Sequence, residues 1–384
     1  MTVPASDAST AAVAGAVPAS DPAPSVIDVA LGERGYPVVV GQELLEAMGE
    51  LVPAPAGASR ALIVSQQPLV TAGYVARVEA SLVAAGLQVE VHLVPDGEAA
   101  KDVAVLTGIW RACAELPMSR DDVIVAVGGG VVGDLAGFAA ATYNRGIAVI
   151  QVPTTLLAQV DAAIGGKTGI NLGEGKNLVG AFHQPLGVVC DLGTLATLSP
   201  RLLIEGLGEV VKYGLIADPV VLELLESRPD EVLAGDVALL HELVMRSVRV
   251  KAQVVAADER EGGVRAHLNL GHTYGHAVEA LTGYAQVLHG EAVAIGTVVA
   301  LHLGVRLGRT PVEVARRGEA VIERLGLPTR GPRLDREAVW RVMARDKKAG
   351  RDGLRFVVLD DLAVPVVVRP ERADVDAVLD ELSA

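Results

Sequence analysis

From about Val26 to Leu195, short apolar runs alternate with longer stretches of helical period. Tyr36 to Val40 reads as a strand, and Gln88 to Val94 alternates as another. Ala61 to Ser65 and Ala148 to Val152 are continuous apolar runs, the pattern of parallel strands covered on both faces. Val123 to Val127 is a third such run and leads directly into Gly128-Gly129-Gly130, with a helix expected from Leu135 to Tyr143. Strands alternating with helices predict a Rossmann-like α/β domain built on a parallel sheet.

After Ser199-Pro200 the pattern changes. Val220–Glu226, Val237–Val255 and Glu291–Leu307 have helical period and length, and β-rich runs return only at Leu354–Leu359 and Val364–Val368, a small terminal hairpin. The expected organisation is a tail over 1–25, an α/β domain over 26–195 and a mainly α-helical domain over 196–384. The tail is rich in Ala, Ser and Pro and has no Lys or Arg, so it matches neither a secretory signal nor a transit peptide and is expected to be disordered.

Composition narrows the classes of function. Hydrophobic residues make up 51% of the 384 but aromatic ones only 3%, so the core must be built from Ala, Val, Leu and Ile. A net charge of −14 argues against nucleic acid or an anionic membrane as partner. An anionic small molecule would need a local cationic pocket set against that field. The chain shows no apolar run of membrane-spanning length. Its two cysteines, Cys113 and Cys190, lie in apolar surroundings and suit a reducing cytoplasm.

Candidate chemistry gathers in a few places. Four of the eight histidines (His267, His272, His276, His289) fall in one short window. His272 and His276, four apart, share one face of a helix. A catalytic metal site needs three protein ligands and an open position. His272 and His289 are candidates, with Glu209, Glu279 or Glu291 as an acidic third, and such a set suits Zn²⁺ or another divalent ion. Gly128-x-Gly130-x-x-Gly133, between a strand and a helix, is either a tight turn or a nucleotide-phosphate site, since no acidic residue follows at the usual ribose distance. Only seven of the 33 basic residues are lysine: 101, 167, 176, 212, 251, 347 and 348. Asparagine occurs four times, at 144, 171, 177 and 269. Lys167 and Lys176 sit in Gly-flanked segments read as loops able to hold phosphate or carboxylate oxygens.

These segments together resemble the 3-dehydroquinate synthases, a family of sugar phosphate cyclases. The resemblance rests on Gly128 to Asp134, Gln151 to Asp161, Gly165 to Asn171, Gly175-Lys176-Asn177, Glu209 to Gly214, Leu268 to His276, His289-Gly290-Glu291 and Arg345 to Lys348, in that order. It implies an NAD-binding domain followed by a helical metal domain, with the active site between them. It implies Glu209, His272 and His289 as ligands of Zn²⁺ or Co²⁺. NAD contacts are implied at Glu98, Lys101, Gly129, Gly130, Val131, Asp134, Thr154, Thr155, Asp161, Lys176, Thr197 and Leu198. Lys167, Lys212, Lys251, Arg265, Asn269 and His276 are implied as catalytic. Asn177 and one of Lys347 or Lys348 would contact the substrate, and Arg145 would reach the phosphate site of a neighbouring subunit, so a homodimer is implied. The implied reaction takes 3-deoxy-D-arabino-heptulosonate 7-phosphate through transient oxidation, phosphate elimination, re-reduction and aldol closure to 3-dehydroquinate.

The chain departs from the family pattern at Ser65-Gln66, where an Asp is frequent, at Leu202, where an acid is common, and at Gly208, where Ala is usual before the metal Glu. Other cyclases compete as readings, the 3-amino-dehydroquinate synthases above all, because their substrate bears the same anions. A metal-dependent polyol dehydrogenase is a second class of alternative. It would release NADH and would not need so many anion-binding side chains.

Overall fold

The computed structural model describes residues 24–173, 175–284, 286–345 and 354–382; the expected tail, apart from its last two residues, and the Lys347-Lys348 pair lie outside the described residues. The strands are β1 (Ser25–Val29), β2 (Tyr36–Gly41), β3 (Arg60–Ser65), β4 (Gln88–Leu93), β5 (Val123–Gly128), β6 (Ala148–Pro153), β7 (Lys167–Leu172), β8 (Gly175–Phe182), β9 (Gly187–Asp191), β10 (Phe356–Asp361) and β11 (Val364–Val368). The main helices are α1 (Tyr74–Ala84), α2 (Val103–Glu115), α3 (Gly130–Thr142), α4 (Pro200–Ile216), α5 (Pro219–Ser227), α6 (Val237–Ala257), α7 (His272–Leu281), α8 (His289–Arg306), α9 (Val312–Arg324), α10 (Arg336–Arg345) and α11 (Arg372–Leu382).

A seven-stranded sheet runs in the order β1-β2-β9-β6-β5-β3-β4. Every pairing in it is parallel except β1 with β2. The apolar runs form its centre because both faces are covered. Ile63, Val125 and Ile150 pack with α1 on one side, while Leu62, Ile124 and Val149 pack with α2 and α3 on the other. At the β2–β9 end, Val38, Val40, Val188 and Cys190 join a larger core with Val210, Leu243, Val298 and Val378, so this core runs across residue 195. The helical half is thus packed against the sheet.

Three features differ from the sequence reading. β1 adds an antiparallel edge beginning at Ser25, inside the segment assigned to the tail. Lys167 and Lys176 lie on β7 and β8, an antiparallel ribbon, and not on loops. Alternation there is weak because β8 is largely exposed, so little burial imposes a period of two. The helix after β5 starts at Gly130, five residues earlier than expected, because Gly129 is its N-cap. The terminal hairpin β10–β11 is antiparallel, in line with expectation. Among the described residues, no helix is long and apolar enough to cross a membrane. Both cysteines are free and buried.

Candidate functional site

α7 begins at Gly271, whose φ of +82° is a left-handed conformation that glycine adopts without strain. From that start the helix carries His272, His276 and Glu279 on one face, at spacings of four and three. α8 opens with His289 at its first turn. Glu209 lies midway along α4, fully buried. An added Cβ at Gly208 would overlap the Gly290 carbonyl oxygen, so the glycine at this departure from the family pattern lets α4 approach the start of α8. Three helices thus bring together a triad that is 80 residues apart in sequence from Glu209 to His289.

Oε1 of Glu209 lies 3.3 Å from Nε2 of His272 and 3.4 Å from Nε2 of His289. Ligands at about 2.0–2.1 Å in a tetrahedron stand about 3.3 Å apart, so the spacing fits a divalent cation such as Zn²⁺. Neither Glu209 oxygen has a hydrogen bond of ordinary geometry, although Lys212 Nζ lies against Oε2. Lys212 supplies one charge beside Oε2, while the buried Oε1, facing both Nε2 atoms, is left open to a cation. Both rings turn Nε2 inward for a definite reason. Nδ1 of His272 is 3.1 Å from the Leu270 carbonyl, which can only accept, so Nδ1 carries the hydrogen. Nδ1 of His289 is 3.1 Å from Oε2 of Glu279.

Burial alone would raise Glu209, but Lys212 and His272 hold its carboxyl well below the usual range. Burial pushes His272 down to about 4, which keeps it neutral and able to act as a ligand. His289 moves the other way. Burial opposes its protonation, but Glu279 and Glu209 raise it well above its ordinary value.

All five described lysines pair with acids. Lys101 meets Asp134 at 2.6 Å, Lys167 meets Glu261 at 2.7 Å, Lys176 meets Glu279 at 3.0 Å, and Lys251 meets Asp161 at 2.6 Å. Lys212 contacts Glu209 and stands 4.0 Å from Asp161. These residues therefore form a lattice of opposite charges, where the sequence reading expected a local excess of cations. Asp161 sits on a π-helical turn, Ala158–Ala162, a form common at functional sites, and also accepts from Tyr213 Oη at 2.9 Å. Burial draws Lys251 down to about 8 even though Asp161 opposes the shift.

Other expected residues fall around this centre. Arg265 is buried and donates to the Gly165 carbonyl at 3.1 Å. Asn269 donates to Glu261 at 2.8 Å, tying it to Lys167. His276 stands next to His272, with ring centroids 5.3 Å apart. Asn177 contacts Lys101. Glu98 links Asn171, at 2.8 Å, to Lys101 and Lys176, both at 3.7 Å.

Gly129, Gly130 and Val131 form the half-buried start of α3 at the end of β5. β5 lies beside β3 and β6, where the chain reverses its direction across the sheet, the usual place for a dinucleotide crevice. Thr154 is buried, Thr155 borders Gly129, and Thr197, which accepts from Tyr74 Oη at 3.0 Å, leads into Leu198. This free helix N-terminus with small neighbours fits a pyrophosphate. Ser65, at one family departure, spends its hydroxyl on the Val127 carbonyl at 2.8 Å.

Arg145 is exposed on the turn after α3, outside this cluster. Glu291, one of the three acids left open as a ligand, pairs with Arg201 at 2.7 Å and caps α8 through Leu288 N at 2.9 Å. His267 lies on the short turn before α7 and is pushed down by burial. Sequence reasoning gave no role to Glu261, nor to Glu279 beyond its candidacy as a ligand. The available signal for Glu279 was its place three residues after His276 on the same helix face.

Comparison with known proteins gives these contacts a context. The family model for the 3-dehydroquinate synthase N-terminal domain matches residues 91–205, and that for the C-terminal domain matches residues 206–349. A 3-dehydroquinate synthase from Nitrobacter winogradskyi is 46% identical over 364 residues, covering 91% of this chain and 94% of its own. The fold is similar to 2-epi-5-epi-valiolone synthase from Streptomyces hygroscopicus, solved with NAD⁺ and Zn²⁺ bound (TM-score 0.82, 27% identity, 90% of this chain and 96% of that one). It also matches 2-deoxy-scyllo-inosose synthase complexed with carbaglucose-6-phosphate, NAD⁺ and Co²⁺ (TM-score 0.80, 24% identity, 93% and 100%). The chain therefore belongs to the 3-dehydroquinate synthase family.

Proposed function

We propose that this protein is a 3-dehydroquinate synthase, converting 3-deoxy-D-arabino-heptulosonate 7-phosphate to 3-dehydroquinate and phosphate in the shikimate pathway. The observation that carries the reading is the Glu209–His272–His289 triad set within the lysine–carboxylate lattice. Family membership across both halves of the chain supports it. Glu209, His272 and His289 would hold Zn²⁺ or Co²⁺. Gly129, Gly130, Val131, Thr154, Thr155, Thr197 and Leu198, with Glu98, Lys101, Asp134, Asp161 and Lys176, would hold NAD. When bound, the metal would supply Lewis-acid activation of a substrate hydroxyl, and NAD⁺ a reversible hydride acceptor.

The chain's own side chains then have defined tasks. Lys212, Lys251 and Arg265 are buried cations whose donors can turn from protein carboxylates and carbonyls to substrate oxygens. The exposed Lys167 and Asn177 and the buried Asn269 can do the same. His276, next to the metal ligands, can take up and deliver a proton. Of Lys347 and Lys348, one completes the phosphate contacts in this reading. Residues 26–195 serve mainly the cofactor and 196–384 the metal. The protein acts as a cytoplasmic homodimer in which Arg145 reaches the phosphate site of the neighbouring subunit.

The test offers purified, metal-loaded enzyme the heptulosonate phosphate, its amino analogue and sedoheptulose 7-phosphate, with products identified by mass and NADH followed by absorbance. The expected result is phosphate and 3-dehydroquinate from the first, with no net NADH. Stoichiometric NADH would point to a dehydrogenase, and preference for another substrate to a different cyclase.

A further inference from the structure

Glu279 is 3% exposed, on the face of α7 that carries His272 and His276. Its two oxygens have different partners. Oε2 meets Nδ1 of His289 at 3.1 Å, and Oε1 accepts from Lys176 Nζ at 3.0 Å. Lys176 in turn lies 4.4 Å from the centre of the Tyr284 ring, and the Tyr284 N–H donates to the Glu279 carbonyl at 2.9 Å. One residue thus spans two parts of the site, a histidine of the triad and the ribbon lysine assigned to the cofactor.

We propose that Glu279 is a positioning residue that sets the tautomer and ring orientation of His289 and holds Lys176 at a fixed distance from the metal. The inference rests on the metal reading of Glu209, His272 and His289. A carboxylate on Nδ1 obliges that nitrogen to keep its hydrogen, so the proton that a metal would displace is the one on Nε2, which faces Glu209 at 3.4 Å. A carboxylate–histidine–metal relay of this kind raises the basicity of the ligand and limits ring rotation. His276, Glu279 and His289 could also form a cation cluster of their own. Two observations weigh against it. Both Glu279 oxygens already have donors, whereas Oε1 of Glu209, the oxygen facing His272 and His289, has no ordinary hydrogen bond. His289 also directs Nε2 to Glu209 and only Nδ1 to Glu279.

The test is metal binding, independent of turnover. Full-length protein is stripped of metal and titrated with Zn²⁺ and with Co²⁺, whose visible absorption reports ligand geometry. Wild type is expected to bind one equivalent; failure to bind any would refute the metal reading itself and not only the role of Glu279. Glu279→Ala is expected to weaken metal binding about 10- to 100-fold and to alter the Co²⁺ spectrum. Glu279→Gln keeps the shape and one acceptor, and serves if the alanine variant does not fold. It is expected to weaken binding about 3- to 10-fold, since a charge-assisted hydrogen bond is roughly twice as strong as a neutral one. Either folded variant binding metal like wild type, with an unchanged spectrum, overturns the proposal. A second equivalent of metal that disappears in His276→Ala overturns it as well, by making Glu279 a ligand.

Discussion

Lys251 shows how strongly the fold shapes a single side chain. In water its ammonium would titrate near 10.5; buried beside Asp161 and near Lys212 and Arg265, it falls to about 8. Below about pH 8 the group is charged in both the native and unfolded chain. Between about 8 and 10.5 the unfolded chain keeps a proton that the native state has lost, so this residue's contribution to stability rises with pH there. Function runs the opposite way, because anion capture needs the charged form. kcat/KM is expected to fall as pH rises through about 8, and Lys251→Arg to move that limb upward, since guanidinium stays charged. A pH–rate profile of the two proteins measures it, and coincident alkaline limbs would remove Lys251 from substrate capture. Lys251 stood out in the sequence because lysine is scarce, yet its partner Asp161, 90 residues away, was assigned only to the cofactor.

Among the elements, the crossing of α4 and α8 sets the distance between Glu209 and His289. Gly208 faces the Gly290 carbonyl, and Gly290 faces the Glu205 carbonyl, so two backbones meet where side chains would hold them apart. Gly208→Ala is expected to cost about 1–3 kcal/mol by overpacking, measured by denaturant unfolding of the metal-free protein. It should also weaken metal binding, because Glu209 and His289 flank the crossing. Unchanged stability and affinity would show that the helices can slide apart without disturbing the triad. The helical period of α4 and α8 was readable in the sequence. Their crossing was not, since it depends on close contacts between segments with no local pattern in common. The β7–β8 ribbon was not legible for a related reason: β8 is mostly exposed and need not alternate.

Across the whole molecule, the net charge is −14, and the lysines of the site are each matched by a carboxylate. The exposed charges act at long range and are screened over about 10 Å at 0.1 M salt, while buried pairs are screened much less. Adding salt from about 0.01 to 0.1 M is therefore expected to raise kcat/KM for the heptulosonate phosphate by relieving long-range repulsion. Stopped-flow or initial-rate measurements across that range test it, and a steady decline would mean that the local cations outweigh the overall field. The five described lysines favour the first outcome, since each already has a carboxylate partner.

The linear chain by itself determined the parallel α/β half, the helical half and the terminal hairpin, because burial imposes local patterns on contiguous residues: unbroken apolar runs in strands covered on both faces and a period of 3.6 in helices. Its motifs were enough to place it in a family and to mark His272, His289 and the lysines. Only the tertiary structure gave the three acids different surroundings. Glu209 and Glu279 converge on opposite nitrogens of His289, while Glu291 turns away to Arg201 and the start of α8. The physical reason is that a charge pair or a ligand set is specified by distances of about 3 Å in space, and separation along the sequence carries no record of them.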